Sequence, residues 1–222
     1  MEKITPKREW SAVTRLNHWL RVVCIVILIM TGLYIADPFT ISKGETVEKM
    51  FMGEVRFWHI LVGMTLGLLF VWRFYLSFFS FFRADWRDFY AWTDWRNMKK
   101  ELQFYLLLSK EPPDHKYLFD PLQSLSYLVF MTMLFGLILT GTIMMGAGYG
   151  TGVTALVYKV LKPVELWLGG LAMVRWVHHM LMWGVILFMA VHVNMAFLHD
   201  YLFKEGTVSA MISGTIFHRS HK

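Results

Sequence analysis

The sequence predicts an all-α membrane protein: a transmembrane four-helix bundle, with room for extra interfacial helices in its loops. Of its 222 residues, 56% are hydrophobic and only 17% are charged, whereas about a quarter of the residues in soluble domains are charged. Four apolar runs are each long enough to cross about 30 Å of hydrocarbon at 1.5 Å per residue. We therefore expect residues 1–222 to form a single membrane domain.

Each predicted span is bounded by residues that end helices or favour water. Asp37-Pro38 follows the first span, and Asp120-Pro121 opens the third, which the glycine-rich sequence GAGYGTG closes. Between the third and fourth spans, TALVYKVLKPVELWL predicts an amphipathic helix at the membrane surface. The predicted spans cover residues 17–36, 57–79, 122–145 and 174–199.

The basic residues predict the orientation of the chain. Sixteen of the 22 lysines and arginines belong to the N-terminal end, the second loop with the end of span two, and the C-terminal tail. The positive-inside rule then places both termini in the cytoplasm of a bacterial inner membrane. A nucleic-acid-binding protein would instead cluster its basic residues on one folded face. The first apolar run lacks a small-residue cleavage site, so we expect it to be retained.

Cysteine chemistry is excluded as the basis of a redox site. The single cysteine, Cys24, lies inside an apolar run, and no CxxC pair is present to hold an iron–sulfur cluster or zinc. Any redox chemistry of this chain must therefore use other ligands.

Histidines inside the spans are the main functional signal, because ionisable groups at membrane depth are costly. His178 and His192 are fourteen residues apart, so they share nearly one helix face and lie about 21 Å apart along the axis. That distance is too long for one metal ion and suits two cofactors at two depths. His179 points about 140° away from His192, so we expect it to be a hydrogen-bonded neighbour rather than a ligand.

Depth pairs the remaining histidines. His59 and His178 both open spans on the outer side, whereas His18 and His192 lie towards the cytoplasmic side. Two imidazoles that face each other across a helix bundle can ligate one haem iron from both sides. The sequence therefore predicts two haems between the helices. Six-coordinate iron of this kind transfers electrons and offers no open position for oxygen.

An Arg-x-x-His pattern supports haem binding. Each arginine lies about one helical turn closer to water than its histidine, where it could pair with a haem propionate. Glycines inside the spans also predict close approach of flat macrocycles or neighbouring helices. The pattern occurs at Arg15 and His18, Arg56 and His59, and Arg175 and His178; the glycines are Gly32, Gly63, Gly67, Gly136, Gly141 and Gly184.

A function of another class stays open at this point. A lone histidine in a membrane often bonds a neighbouring helix, and an interfacial arginine often extends to water without a cofactor. The chain could then be a haem-free membrane anchor or a divalent metal transporter. Transporter metal sites usually include carboxylates, and the interiors of the predicted spans contain none.

These segments resemble a known family. The chain is similar to the b-type cytochrome subunit of membrane-bound nickel–iron hydrogenases and, more distantly, to the cytochrome b subunit of formate dehydrogenase. The resemblance covers nearly the whole chain, and WRFY, DWRDF and the tail motif favour the hydrogenase subunit. It rests on RLNHWLRVVCIVILIMTGLYI, VRFWHILVGMTLGLLFVWRFY, DPLQSLSYLVF, RWVHHMLMWGVILFMAVHVNMAFLHDYL and AMISG.

The resemblance implies a role in a complex rather than an enzyme activity of the chain alone. It implies two haem b groups and two partners: a periplasmic nickel–iron large subunit that oxidises hydrogen, and a small subunit with iron–sulfur clusters. Electrons would enter at the outer haem (His59 and His178) and leave from the inner haem (His18 and His192) to a membrane quinone. The partner could also be another periplasmic oxidoreductase, such as formate dehydrogenase or thiosulfate reductase.

The start of the third span departs from the family pattern. Many members have Gly-His-Asn-Pro there, whereas this chain has Asp120-Pro121 with the histidine displaced to His115. A quinone needs a hydrogen-bond donor for its carbonyl, an apolar slot and a source of protons. The candidate quinone residues are therefore His115, Asp120 and Gln123. The alternative for Asp120-Pro121 is an N-cap followed by proline at the first helical position.

Overall fold

Four long helices dominate a computed structural model that describes residues 3–38, 50–79, 86–106, 108–109, 120–149, 151–204 and 206–220. These helices are α1 (Ala12–Ala36), α2 (Phe51–Phe79), α4 (Pro121–Gly148) and α6 (Leu171–Phe203), and all four are long and apolar enough to cross a membrane. Shorter elements occupy the loops and the two ends of the chain. In chain order, the elements are β1 (Lys3–Arg8), α1 (Ala12–Ala36), α2 (Phe51–Phe79), a 3₁₀ helix (Trp86–Thr93), α3 (Trp95–Tyr105), α4 (Pro121–Gly148), α5 (Gly152–Leu168), α6 (Leu171–Phe203), α7 (Thr207–Ser213) and β2 (Thr215–Ser220).

The helices confirm the predicted all-α membrane fold. Each predicted span lies inside one long helix, which extends past most of the predicted ends because the polar first and last turns are helical too. Large apolar side chains such as Leu68 (74% exposed) and Leu187 (67% exposed) lie on the outer surfaces of these helices. Such a surface is stable in contact with lipid rather than with water.

The chain divides into two compact units. Residues 17–70 and 133–188 form one, here called the four-span unit, and residues 1–16, 71–132 and 189–222 form the other, here called the terminal unit.

In the four-span unit, glycines lie where two helices approach closely. A Cβ atom built on Gly136 of α4 would lie 2.7 Å from Leu181 Cδ1 of α6, and one built on Gly184 of α6 would lie 2.8 Å from Met133 Sδ. Looser contacts of the same kind join α1 to α2 at Gly63 and α2 to α4 at Gly67. Small residues let membrane helices pack through close van der Waals contact. The predicted role of these glycines in helix packing is confirmed.

A buried amide also joins α1 to α2. Asn17 is fully buried, and its Nδ2 donates to the backbone carbonyl of Leu69 at 3.2 Å. One turn further along α1, the buried Arg21 donates from Nε to the carbonyl of Asn17 at 3.4 Å. A polar link of this kind is expected in a membrane bundle, because an unpaired amide in an apolar interior is costly.

Helix α5 confirms that the loop after the third span is helical, and it packs against the end of α4. A Cβ atom on Gly146 of α4 would lie 2.7 Å from Tyr158 Cβ and 3.0 Å from the backbone oxygen of Thr154. The helix is followed by Gly169 and Gly170, which both have a positive φ (101° and 92°). The Gly170 N–H donates a hydrogen bond to the Glu165 carbonyl at 2.9 Å. Glycine is favoured here because this conformation is strained for other residues.

Three polar side chains of α5 form one cluster. Tyr158 donates its hydroxyl proton to Glu165, and Lys162 Nζ lies 2.9 Å from the Tyr158 oxygen and 3.0 Å from Glu165 Oε1. Hydrogen bonds from Tyr158, and then from Lys162, lower the pKa of the Glu165 carboxyl. Hydrogen bonds to Tyr158, and then to Glu165, raise the pKa of Lys162. Both groups are therefore held in their charged forms.

In the terminal unit, the two ends of the chain form a small antiparallel sheet that the sequence did not predict. Strands β1 and β2 pair from Lys3 opposite Ser220 to Arg8 opposite Thr215. The carbonyl of Gly214 accepts hydrogen bonds from the N–H groups of Glu9 (2.9 Å) and Trp10 (3.2 Å). Gly214 has φ +85°, and a Cβ atom there would lie 2.8 Å from the Trp10 oxygen, so glycine is required at this turn.

We predict that Gly146→Ala lowers the stability of the protein. The added methyl group would meet the backbone and Cβ of α5, which cannot move without shifting the helix, and overpacking of this kind costs about 1–3 kcal/mol. Thermal unfolding of the detergent-solubilised protein measures the change.

The control is Gly148→Ala, because none of the residues that the structure describes has an atom within 4 Å of a Cβ atom built at that position of the same helix. Equal melting temperatures for the two variants would contradict the packing of α5 on α4.

We also predict that the Glu165 cluster makes stability depend on acid pH. The folded pKa of Glu165 is lowered, so its contribution is present above the unfolded value of about 4.5 and is lost as the pH falls through the folded value. Glu165→Gln should therefore melt below the wild type at pH 7, and the difference should shrink below about pH 4.5. Lys159→Gln, which removes an exposed charge from the same helix, is the control. A difference for Glu165→Gln that does not change with pH would rule out this role of the carboxylate.

Candidate functional site

Two of the predicted histidines face each other inside the four-span unit. His59 of α2 and His178 of α6 have ring centroids 6.4 Å apart, with an angle of 66° between the ring planes. Both side chains are half-buried by protein atoms. The pair predicted from depth along the sequence is therefore close in space.

Each of these rings is bonded by a threonine from a neighbouring helix. Thr31 Oγ1 of α1 lies 2.8 Å from His59 Nδ1, and Thr140 Oγ1 of α4 lies 2.8 Å from His178 Nδ1. All four long helices thus contribute one side chain to the same site. The sequence analysis missed both threonines.

Each threonine is followed by a glycine that contacts the same ring. A Cβ atom on Gly32 would lie 3.3 Å from His59 Cε1, and one on Gly141 would lie 3.4 Å from His178 Cε1. The absence of a side chain therefore leaves room for each imidazole against the neighbouring helix. The predicted close approach at these two glycines is towards the histidines.

His179 has a different environment from His178. Its Nε2 accepts a hydrogen bond from Trp183 Nε1 at 3.1 Å, one turn along the same helix. This bond confirms the expectation that His179 is a hydrogen-bonded neighbour.

The two histidines of the other predicted pair belong to different units. His18 of α1 belongs to the four-span unit, is half-buried, and packs edge-on against Trp19 with centroids 5.3 Å apart. His192 of α6 belongs to the terminal unit and is exposed. Their pairing stays a prediction.

The three arginines of the Arg-x-x-His pattern differ in their surroundings. Arg56 and Arg175 are exposed, one turn before His59 and His178. Arg15 is half-buried, and its guanidinium donates to the backbone carbonyl of Ile212 in α7. Arg15 therefore also ties the first helix to the C-terminal segment within the terminal unit.

The start of α4 carries the predicted quinone residues. His115 lies outside the described residues, Asp120 is half-buried, and Gln123 is exposed. Pro121 is the first residue of α4, and the Asp120 carbonyl accepts the first bond of the helix from the Ser124 N–H at 2.8 Å. This backbone geometry is that of an N-cap followed by proline, as the alternative interpretation expected.

A buried carboxylate that the sequence analysis missed lies at the same helix end. Glu101 of α3 is only 2% exposed, and its Oε2 accepts a hydrogen bond from the Leu122 N–H at 2.8 Å. Burial, followed by the charges of Glu101 and Asp120, raises the pKa of Tyr105 to about 12. The start of α4 is therefore a polar region with two carboxylates and a neutral phenol.

Arg73 of α2 is a second polar group whose burial the sequence did not indicate. It is 4% exposed, donates from Nη1 to Ser77 Oγ at 2.8 Å, and lies 5.6 Å from the ring centroid of Tyr127. A buried guanidinium is stabilised by hydrogen bonds and by the face of an aromatic ring. Positive charge is thus present inside the terminal unit as well as on its surface.

Comparison with known proteins decides the family. The sequence profile described as prokaryotic cytochrome b561 matches residues 9–214. The chain belongs to this family. It is therefore a multi-pass membrane cytochrome of the b561 type, and electron transport by haem b is the chemistry of its class.

Several curated relatives align with this cytochrome over most of their lengths. A probable Ni/Fe-hydrogenase B-type cytochrome subunit from Rhodobacter capsulatus is 31% identical over 96% of this chain and 81% of its own length. A protein with the same description from Azotobacter vinelandii is 29% identical to this chain. A Ni/Fe-hydrogenase 1 B-type cytochrome subunit, also described as probable, from Escherichia coli K12 is 28% identical. Each alignment covers 96% of this chain and 90% of the relative's own length.

The pair of histidines fits the haem b of this cytochrome family. A ligating imidazole nitrogen lies about 2 Å from its metal and the ring centroid about 1 Å further, so two axial rings have centroids about 6 Å apart. The observed separation is 6.4 Å. Neutral imidazoles are also the ligands that a haem iron of this type requires.

Proposed function

We propose that this chain is the membrane electron-transfer subunit of a nickel–iron hydrogenase, and that it reduces a membrane quinone with electrons from the iron–sulfur subunit. The descriptions of its relatives support the hydrogenase partner, because sequence identity of 28–31% extends over 96% of the chain. The large nickel–iron subunit would oxidise hydrogen. On its own, the chain would complete only the quinone half of the reaction.

The observation that carries the proposal is the pair of facing imidazoles. His59 and His178, with centroids 6.4 Å apart, would hold one haem b as its two axial ligands. His18 and His192 would hold a second haem b, because the fourteen residues from His178 to His192 place two sites about 21 Å apart on one helix face. When bound, haem b supplies one-electron chemistry at its iron.

The surrounding residues of the chain would bind and shield this group. His59 and His178 would hold the haem through their imidazoles, and the apolar interior of the helices would exclude water from it. Arg56 and Arg175, exposed one turn from the ligands, would pair with propionates at the membrane surface. Arg15 would do the same near His18, with fewer N–H groups available because one binds Ile212.

Quinone reduction would take place near the start of α4. Converting a quinone to a quinol requires two protons as well as two electrons, and a carboxylic acid that regains its proton from water is a suitable proton donor. Asp120, together with Gln123 and His115, would contact the quinone. Both chain termini would lie in the cytoplasm, as the distribution of lysine and arginine predicts.

We predict two noncovalent haem b groups per chain in the purified complex. His59→Ala and His178→Ala should each lose one of them, because each removes an axial ligand. Quantitative haem extraction and a reduced-minus-oxidised spectrum measure the content.

The matched control is His179→Ala, which removes the adjacent histidine and should keep both haems. If His179→Ala lost a haem and His178→Ala did not, the ligand would be His179 and not His178. A wild-type protein without haem, in gently prepared membranes that contain its partners, would reject the cytochrome function and favour an anchor or a metal transporter.

We also predict that His192→Ala lowers hydrogen-dependent reduction of a ubiquinone analogue by more than about 10-fold, because losing even a hydrogen-bond partner of a metal ligand costs about 10–100-fold. Hydrogen oxidation with a soluble dye, which bypasses the membrane subunit, should not change. His199→Ala, which alters the same helix beyond the proposed ligand, is the control. Quinone reduction that depends on formate, or quinol oxidation that depends on thiosulfate, in place of hydrogen-dependent quinone reduction would assign the chain to another oxidoreductase.

A further inference from the structure

We propose that Thr31 and Thr140 are positioning residues that set the tautomer of the two histidines and thereby the redox potential of the haem between them. The inference rests on the proposed ligation of that haem by His59 and His178. Thr31 belongs to α1 and Thr140 to α4, the two long helices that supply no ligand to this haem. Both residues would influence the electron density at the haem iron through the histidine ligands.

The first threonine is placed to accept a hydrogen bond from its histidine. A hydroxyl has one proton, and Thr31 directs it to the carbonyl of Ile27 one turn earlier, at 2.7 Å. The 2.8 Å contact with His59 Nδ1 must then be an N–H group of the imidazole donating to Oγ1. A neutral imidazole has one N–H group, so the Nε2 atom of His59 carries the lone pair that a metal needs.

The second threonine repeats this arrangement on the opposite side of the site. Thr140 donates its hydroxyl proton to the carbonyl of Gly136 at 2.6 Å, and its Oγ1 lies 2.8 Å from His178 Nδ1. His178 therefore also presents Nε2 as its unprotonated nitrogen. Two independent helices fix the same tautomer.

The adjacent glycines restrict the rings further. Gly32 and Gly141 place helix backbone against Cε1 of His59 and His178, where a Cβ atom would lie at 3.3 and 3.4 Å. Each imidazole thus has a hydrogen-bond partner in the threonine of a Thr-Gly pair and lies close to the glycine of the same pair. Together these contacts define both the direction of Nε2 and the rotation of the ring.

A hydrogen bond at the far nitrogen changes the ligand as well as its orientation. Donation of the Nδ1–H proton to an acceptor increases the electron density on the ring, which makes the imidazole a stronger ligand. A stronger donor stabilises oxidised iron relative to reduced iron. Removing the hydroxyl should therefore raise the reduction potential.

The test uses Thr31→Val and Thr140→Val in the full complex. Valine keeps the branched shape of threonine and lacks the hydroxyl, and Thr31→Ser and Thr140→Ser restore the hydroxyl without the methyl group. The matched control is Thr142→Val, because Thr142 lies two residues from Thr140 and bonds the carbonyl of Ile138 at 2.7 Å in the same manner.

At the midpoint potential of the wild-type haem, each valine variant should raise the ratio of reduced to oxidised haem about fivefold, the factor that corresponds to one ordinary hydrogen bond. The low-spin ferric signal in electron paramagnetic resonance should shift as well. The serine variants and Thr142→Val should match the wild type. Loss of this haem from the valine variants alone, with retention in the serine variants and the control, would also support the inference.

Two results would overturn it. One is an unchanged potential and spectrum in both valine variants with full haem content, which would leave the proposed ligation intact. The other is an equal change in Thr142→Val, which would indicate a general effect of losing a hydroxyl. Retention of both haems in His59→Ala and His178→Ala would instead reject the ligation itself, and with it this inference.

Discussion

The structure of the four-span unit depends on how polar imidazoles are accommodated inside apolar helices. An ionisable side chain at membrane depth is costly unless it is neutral and its polar atoms are bonded. Thr31 and Thr140 meet that requirement at 2.8 Å from each Nδ1 atom. Because the bonds cross from one helix to another, they also bring all four long helices to one site.

Both the close packing of the helices and the placement of the imidazoles require small residues, here glycines, in the spans. The glycine after each threonine leaves space for an imidazole, whereas Gly136 and Gly184 let the backbones of α4 and α6 approach. In a bilayer the helices gain little from burying apolar surface, so such contacts and interhelical hydrogen bonds supply the packing energy. The site and the helix packing are therefore built from the same interactions.

The polar ends of the protein use a different set of interactions. In α5, a lysine, a tyrosine and a glutamate bond one another, and at the start of α4, Glu101 accepts a hydrogen bond from the Leu122 N–H. In the terminal unit, the sheet of β1 and β2 joins the first and last segments of the chain. Charged groups are tolerated in these regions because water or complementary partners are available.

The sequence by itself determined the four spans, because their length and apolarity are local properties that a bilayer requires of any spanning helix. It also distinguished His178 from His179, since a helical period of 3.6 residues places adjacent side chains on different faces. Only the tertiary structure decided that Thr31 and Thr140 bond the histidines, because a threonine in a span usually bonds its own helix, as both also do. The same holds for the Glu101 bond to Leu122, for the Arg73 contact with the Tyr127 ring and for the terminal sheet, because these contacts join residues that are distant in sequence and leave no periodic pattern.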